Sequence, residues 1–209
     1  MKIVTYNIHS GMDSNNKLTL NKISKYLKSL DCDVICLQEA LYPQFVKLKV
    51  DLKMNGKFAT NVNKPGMKFG VCTFAKENIS SSSHIFLTSK KEQRGFLSIK
   101  ICKEDRSINI INTHLGLDKH ERYVQISEII DYTFSLTGNI VICGDFNEKN
   151  ISISNYNDMA VALNKYQIPT FEKSHARIDY IFSDKSLSTK DYCVEIINLS
   201  DHYPVIGII

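Results

Sequence analysis

Ten apolar clusters of strand length recur along this chain: Lys2 to Ile8, Asp33 to Leu37, Phe69 to Ala75, Ile85 to Leu87, Phe96 to Cys102, Ile108 to Asn112, Asn139 to Cys143, Arg177 to Phe182, Tyr192 to Ile197 and Val205 to Ile209. That is more than one small open sheet accommodates. Runs such as Asn139-Ile-Val-Ile-Cys143 are apolar almost without alternation, the pattern of strands covered on both faces. The expected class is therefore α/β, two packed sheets with helices outside them. Leu20, Ile23, Leu27 and Leu30 share one helical face, with Thr19 as the expected cap. A second helix begins near Asp118 and carries Val124, Ile126, Ile129, Ile130, Tyr132 and Phe134, and a third is expected over Asp158 to Tyr166.

At 209 residues and 43% hydrophobic content the chain can bury a sizeable core by itself, and 1–209 reads as a single domain. The formal charge of +4 arises from 26 basic and 22 acidic residues with no polybasic run. Such a balance permits a polyanionic partner without demanding one. Six cysteines fall at irregular spacings, and Cys36, Cys72 and Cys143 lie inside apolar runs, so neither a disulfide framework nor a zinc site is expected. The sequence opens directly into a strand pattern, without a charged leader and long apolar stretch. The expectation is no signal peptide, no membrane span and a cytoplasmic, monomeric protein.

Several apolar strands terminate in polar clusters: Thr5-Tyr-Asn-Ile-His-Ser-Gly11, Leu37-Gln-Glu39, Asn112-Thr-His-Leu-Gly116, Gly144-Asp-Phe-Asn147, Ile178-Asp-Tyr180 and Ser200-Asp-His-Tyr-Pro204. Each alone has an ordinary reading. Gly144-Asp-Phe-Asn147 has the composition of a turn, Glu39 that of an exposed carboxylate, Asn7 that of a backbone-bonding amide, and His114 and His202 that of hydrogen-bonded histidines. Asp179 resists such a reading, because it interrupts the apolar run Ile178-Asp-Tyr-Ile-Phe182, where an unpaired carboxylate would be costly. A histidine is its natural partner.

Together the clusters, in their order, resemble the endonuclease/exonuclease/phosphatase superfamily, the group that includes pancreatic deoxyribonuclease, abasic-site endonucleases, sphingomyelinases and inositol polyphosphate phosphatases. The resemblance covers residues 2 to 209 and rests on Asn7, Gln38-Glu39, His114, Gly144-Asp-Phe-Asn147, Ile178-Asp179 and Ser200-Asp-His202. It implies a four-layered α/β sandwich, two packed mixed β-sheets flanked by helices. It also implies a metal-dependent phosphoesterase. Small bacterial-type members carry a similar Asn-Ile-His, a similar His-Leu-Gly-Leu and then Glu-Arg and Gln, as in His114 to Leu117, Glu121-Arg122 and Gln125 here. The helix bearing Arg122 and Gln125 is expected beside the site, without a catalytic role.

Hydrolysing a phosphate ester requires charge neutralisation, a positioned water and stabilisation of the leaving oxygen. Glu39 is the expected ligand for Mg2+, with Mn2+ as a substitute, since such hard ions prefer oxygen donors. Asn7 would complete or buttress that shell, and the resemblance adds Asp201. Asp145 would orient and deprotonate the water, with Asn147 holding a phosphate oxygen or that water. His202 paired with Asp179 would stabilise the pentavalent transition state, and His114 would make a second such contact. With 22 Lys against 4 Arg, Arg94 stands out, because Gln93-Arg-Gly-Phe-Leu97 opens a strand where relatives place an active-site arginine. Arg94 and His9 are therefore candidate substrate-binding residues; His9 follows Asn7 by two positions and so would face the cleft if the strand continued.

The favoured substrate is nucleic acid, cleaved with low sequence specificity, on the strength of the mild basic charge and the lysines of the 47 to 68 region. The alternatives are an enzyme acting on phospholipid head groups or small soluble phosphate esters, and a non-catalytic binding module on the same fold.

Overall fold

A computed structural model describes residues 1–103 and 106–209. Its elements follow in chain order. The strands β1 (Lys2–Asn7), β2 (Val34–Leu41), β3 (Asn55–Lys64), β4 (Met67–Ala75), β11 (Asp191–Val194) and β12 (Val205–Ile208) form one sheet, ordered β11-β12-β1-β2-β4-β3. The strands β5 (Ile79–Phe86), β6 (Gly95–Lys103), β7 (Arg106–His114), β8 (Asn139–Asp145), β9 (Tyr156–Asp158) and β10 (Asp179–Asp184) form the other, ordered β5-β6-β7-β8-β10-β9. Both are mixed. Among the described residues, only β1 with β2, and β7 with β8, pair in parallel.

Each parallel pair needs a crossover, because parallel neighbours cannot be joined by a tight turn. Helix α1 (Leu20–Leu30) joins β1 to β2, and α3 (Lys119–Thr133) joins β7 to β8. The other α-helices among the described residues are α2 (Tyr42–Leu52), as long as α1, and the four-residue α4 (Met159–Ala162). The layers follow from strand parity. In β1, Ile3 joins the core between the sheets, whereas Val4 and Tyr6 face outward with Ile23 and Leu27 of α1 and Leu48 of α2. In β8, Val141 and Cys143 face inward, while Ile140 and Ile142 face outward beside Ile129 of α3. The result is the expected four-layered sandwich.

Several local expectations are corrected. Nothing in the sequence reading anticipated α2 or β3, and β5 extends back to Ile79 through four serines whose side chains lie exposed at a sheet edge, where no apolar alternation is required. The helix expected over Asp158 to Tyr166 shrinks to four residues, capped by Asp158 and followed by Asn164 in the left-handed region (φ 55°). Thr19 does precede α1, but its hydroxyl donates to Leu199 O at 2.5 Å instead of capping the helix. Asp118 does cap α3, accepting from Glu121 N.

Candidate active site

The strand parity that builds the inner core also builds the site. On the facing inner sides, Ile3 and Thr5 lead to Asn7, Val34 and Cys36 to Gln38, Ile108 and Ile110 to Asn112 and His114, and Val141 and Cys143 to Asp145. Cross-strand register aligns Gly95, His114, Asp145 and Asp179 in one row over four strands, and Asn7 opposite Gln38 in the other sheet. Gly144, at φ 142°, lies so close to β7 that a Cβ there would run into the Thr113 carbonyl. That close approach sets the spacing between His114 and Asp145.

Asp145 is the hub. Its Oδ2 accepts from Asn7 Nδ2 at 3.0 Å, and its Oδ1 accepts from Asn147 N at 2.9 Å. The same oxygen Oδ2 stands 3.5 Å from His114 Nε2 and 3.6 Å from His202 Nε2. Burial, then the nearby Asp179 carboxylate, raises the Asp145 carboxyl above the ordinary range, partly offset by His202. Asp179 meets the partner the sequence demanded, accepting from His202 Nδ1 at 2.9 Å. It is seated by Thr170, whose hydroxyl oxygen accepts from Ile178 N and Asp179 N, both at 3.0 Å. Burial disfavours the His202 imidazolium, but the carboxylates of Asp179 and Asp145 outweigh that cost and raise its pKa to about 10. His114 goes the other way: burial first, then Arg94 and His202, hold its pKa well below the ordinary histidine value.

Arg94 is buried and lies between Glu92 (2.7 Å) and His114 Nδ1 (3.2 Å). A guanidinium can only donate, so Nδ1 accepts and the neutral His114 ring carries its proton on Nε2. Asn147, in the left-handed region, donates from Nδ2 to Leu115 O at 2.9 Å.

Glu39 sits on a β-bulge, with φ 53° and a register shift between Leu37 and Ala40, and this aims its carboxylate out of the strand. Its Oε1 accepts from Asn7 Nδ2 at 3.0 Å. Asn7 Oδ1 is committed to His9 N, also at 3.0 Å, so the amide presents its nitrogen, not its oxygen, to the two carboxylates. His9 arrives differently from expected. The strand ends at Asn7, and His9 begins a short 3-10 turn with φ 42°, from which Nδ1 lies 3.7 Å from Asp201 Oδ1. Ser200 locks the two motifs together, donating to Asn7 O at 2.8 Å and to Asp201 Oδ1 at 3.2 Å.

The donor set suits a hard divalent cation. Glu39 offers a carboxylate bonded to Asn7, Asp201 offers another that is linked to the Asn7 strand end through Ser200, and no basic side chain among the described residues pairs with Glu39. Asp145, Asp179 and His202 also have ligand atoms within 4.8 Å of one another. There the two carboxylates favour the protonated His202 ring, so an ion bound at that group would have to displace its proton.

Some residues of the site were given no role from the sequence. Gln38 donates from Nε2 to Asn112 Oδ1 at 2.7 Å and Thr5 Oγ1 at 3.0 Å, and Asn112 donates from Nδ2 to Leu37 O and Cys72 O at 3.1 and 2.9 Å. This buried amide pair bolts the sheets together beneath the site. An amide ending the apolar run Ile108 to Asn112 was the available signal; Thr170, in a loop, offered none. Arg122 and Gln125 do stand beside the site, binding Gly116 O and Gly116 N at 3.2 and 2.8 Å and so fixing the loop after His114.

Comparison with solved structures agrees with this architecture. An endonuclease/exonuclease/phosphatase from Beutenbergia cavernae matches with a TM-score of 0.85 and 17% identity over 99% of this chain and 70% of its own. Humanized D. rerio TDP2 matches with a TM-score of 0.81 and 17% identity over 99% of this chain and 97% of its own. The mannosyl-6-phosphatase Bt3783 of Bacteroides thetaiotaomicron matches with a TM-score of 0.78 and 15% identity over 100% and 98%. At such identities these likenesses speak for the fold. A search of curated proteins gives no significant match. The family model described as "Endonuclease/Exonuclease/phosphatase family" matches residues 4–202, and the chain belongs to that family.

Proposed function

We propose that this chain is a divalent-metal-dependent phosphoesterase that cleaves a phosphodiester by in-line attack of water. The observation that carries the reading is the convergence of Asn7 Nδ2, His114 Nε2 and His202 Nε2 on one oxygen of Asp145. A buried carboxylate with a raised pKa, ringed by donors, is suited to accept a proton near neutral pH. In this scheme Asp145 orients the water and takes its proton as the oxygen attacks phosphorus, and the ester oxygen departs with the bonding pair. His202, kept cationic by Asp179, and His114, kept neutral with its proton on Nε2, donate to the phosphoryl oxygens as their charge grows. Asn147 orients the water or a phosphoryl oxygen, and Arg94 contributes positive charge at the cleft wall.

Glu39 and Asp201 would hold the cation, Mg2+ or Mn2+, with Asn7 bracing Glu39 from its amide nitrogen. When bound, that cation would offset substrate charge and polarise a phosphoryl oxygen. His9 supports Asp201 in this arrangement. For the substrate, nucleic acid is supported by Lys64 and Lys68, which line a cleft of about 580 Å³ with Tyr42, three residues beyond Glu39. A phospholipid is the second reading, favoured by the exposed apolar face of α2.

The test is hydrolysis of a bis-aryl phosphodiester with added Mg2+ or Mn2+ and with excess chelator. Turnover that ignores the chelator overturns the metal half of the proposal, and no turnover with either ion overturns the reaction class. Specificity constants for duplex and single-stranded nucleic acid against phospholipid then decide the substrate.

A further inference from the structure

Helix α2 is apolar on two opposite faces. Phe45 and Leu48 are buried against the sheet, with Phe45 packed on Phe58 and Phe74 at ring separations of 5.5 and 5.4 Å. That face supplies the buried apolar packing of the helix. On the other side Tyr42, Val46 and Val50 follow one another at four-residue intervals and are 44%, 45% and 71% exposed. Residues so spaced form a continuous stripe. Met67, at the tip of the β3–β4 hairpin and 37% exposed, extends the apolar surface beside Tyr42.

Charge gathers in the same place. Residues 42–68 contain six lysines and one acidic residue, Asp51, a net +5 that exceeds the +4 of the whole chain. Lysines that look scattered in the sequence are thus the entire basic excess. Lys49 is exposed on α2 and Lys53 just after its end, Lys64 and Lys68 are exposed on the hairpin, and Lys68 Nζ lies 5.7 Å from the Tyr42 ring centre. The patch also adjoins the site. Tyr42 follows Glu39 by three residues, and Gln44 donates to Ser10 O at 2.5 Å, tying the start of α2 to the turn that carries His9.

We infer that this face is a docking surface for an anionic lipid bilayer, with Tyr42, Val46, Val50 and Met67 entering the headgroup boundary and the lysines pairing with lipid phosphates. The choice of occupant follows from chemistry. An apolar stripe flanked by lysines is the pattern of a helix lying in a membrane interface. Nucleic acid matches the lysines but offers a valine stripe nothing to bury against. A second copy of the chain would bring one strongly positive segment against another. No helix among the described residues is long and apolar enough to cross a membrane, and docking of this kind needs none. The inference goes beyond the phosphoesterase reading and does not depend on which ester the site takes: docking would turn the neighbouring cleft toward the bilayer surface.

The test is flotation of the whole protein, in excess chelator, with vesicles of phosphatidylcholine alone or with phosphatidylglycerol. The variants are Val46→Asp with Val50→Asp, and Lys49→Glu with Lys53→Glu. The wild type is expected to float with the anionic vesicles and not the neutral ones. Each variant pair should weaken that binding roughly tenfold or more, as expected for losing buried valines or phosphate-pairing lysines. Melting and turnover of a soluble aryl phosphodiester should stay at wild-type levels, since these side chains are exposed and outside the site. Failure of the wild type to float with anionic vesicles overturns the inference. So does undiminished binding by the valine pair, or binding of an oligonucleotide that the valine pair loses while vesicle binding persists. Vesicle binding without turnover of any ester would sink the phosphoesterase reading alone, and turnover without vesicle binding would sink the docking alone.

Discussion

Arg94 donates to His114 Nδ1 at 3.2 Å, and by occupying that nitrogen it decides which proton the ring can present to the cleft. The pair also fixes a pH response. The folded pKa of His114 is depressed below its unfolded value, so the stabilisation linked to its neutral form is present above about pH 6.5 and declines as pH falls. In metal-free protein, NMR titration of the His114 ring should show it neutral well below that pH. A ring that charges near pH 6.5 contradicts the assignment.

Replacing Arg94 with Met should lower turnover by about two decades through loss of a positioned charge and a fixed tautomer. Arg94→Lys should recover only part of it, because the shorter lysine side chain does not bring its ammonium to the position from which Nη1 meets both Glu92 and His114. Full activity in Arg94→Met would leave the residue a structural one.

Asp179→Asn and His202→Ala should each cost on the order of two to four decades in turnover. Asp179 holds His202 at 2.9 Å, so the double variant should resemble the worse single one. A multiplicative loss would mean that the two groups act separately.

Glu39→Ala should abolish metal-stimulated turnover and shift the melting temperature little, because the half-buried carboxylate sits on a bulge and not in the core. Isothermal titration with Mn2+ reads the first effect and a thermal melt the second. A variant that still binds Mn2+ as tightly as wild type assigns the ligand elsewhere.

Asn112→Ala should be the most destabilising change near the site. It removes the amide that donates to the Leu37 and Cys72 carbonyls and one of the acceptors of Gln38 Nε2, which keeps its bond to Thr5 Oγ1, at about 1–3 kcal/mol for each buried group left unsatisfied. Denaturant titration measures it; a loss below ~1 kcal/mol would show that water or repacking compensates.

These outcomes separate what was legible in the sequence from what was not. The four layers could be read because doubly buried strands are written as apolar runs, and the Asp179–His202 pairing because a lone carboxylate in such a run must be answered. Helix α2 was illegible for a physical reason: Tyr42, Val46 and Val50 put apolar residues on its solvent side among the lysines, which blurs the amphipathic contrast that marks a surface helix. His9 was placed on an extended strand because sequence spacing does not announce a left-handed φ. Gln38 and Asn112 went without roles because support beneath a site bears no chemical signature until both sheets are in place.

The hydrogen bond from Ser200 to Asn7 spans 193 positions of sequence. Closing contacts between segments so far apart carries a large loop-closure cost, so the expectation is that the site assembles late in folding. During refolding, catalytic power should return after helical signal has recovered. If the proposed activity holds, partly folded chains would bind and cleave nothing, and turnover would gauge complete folding.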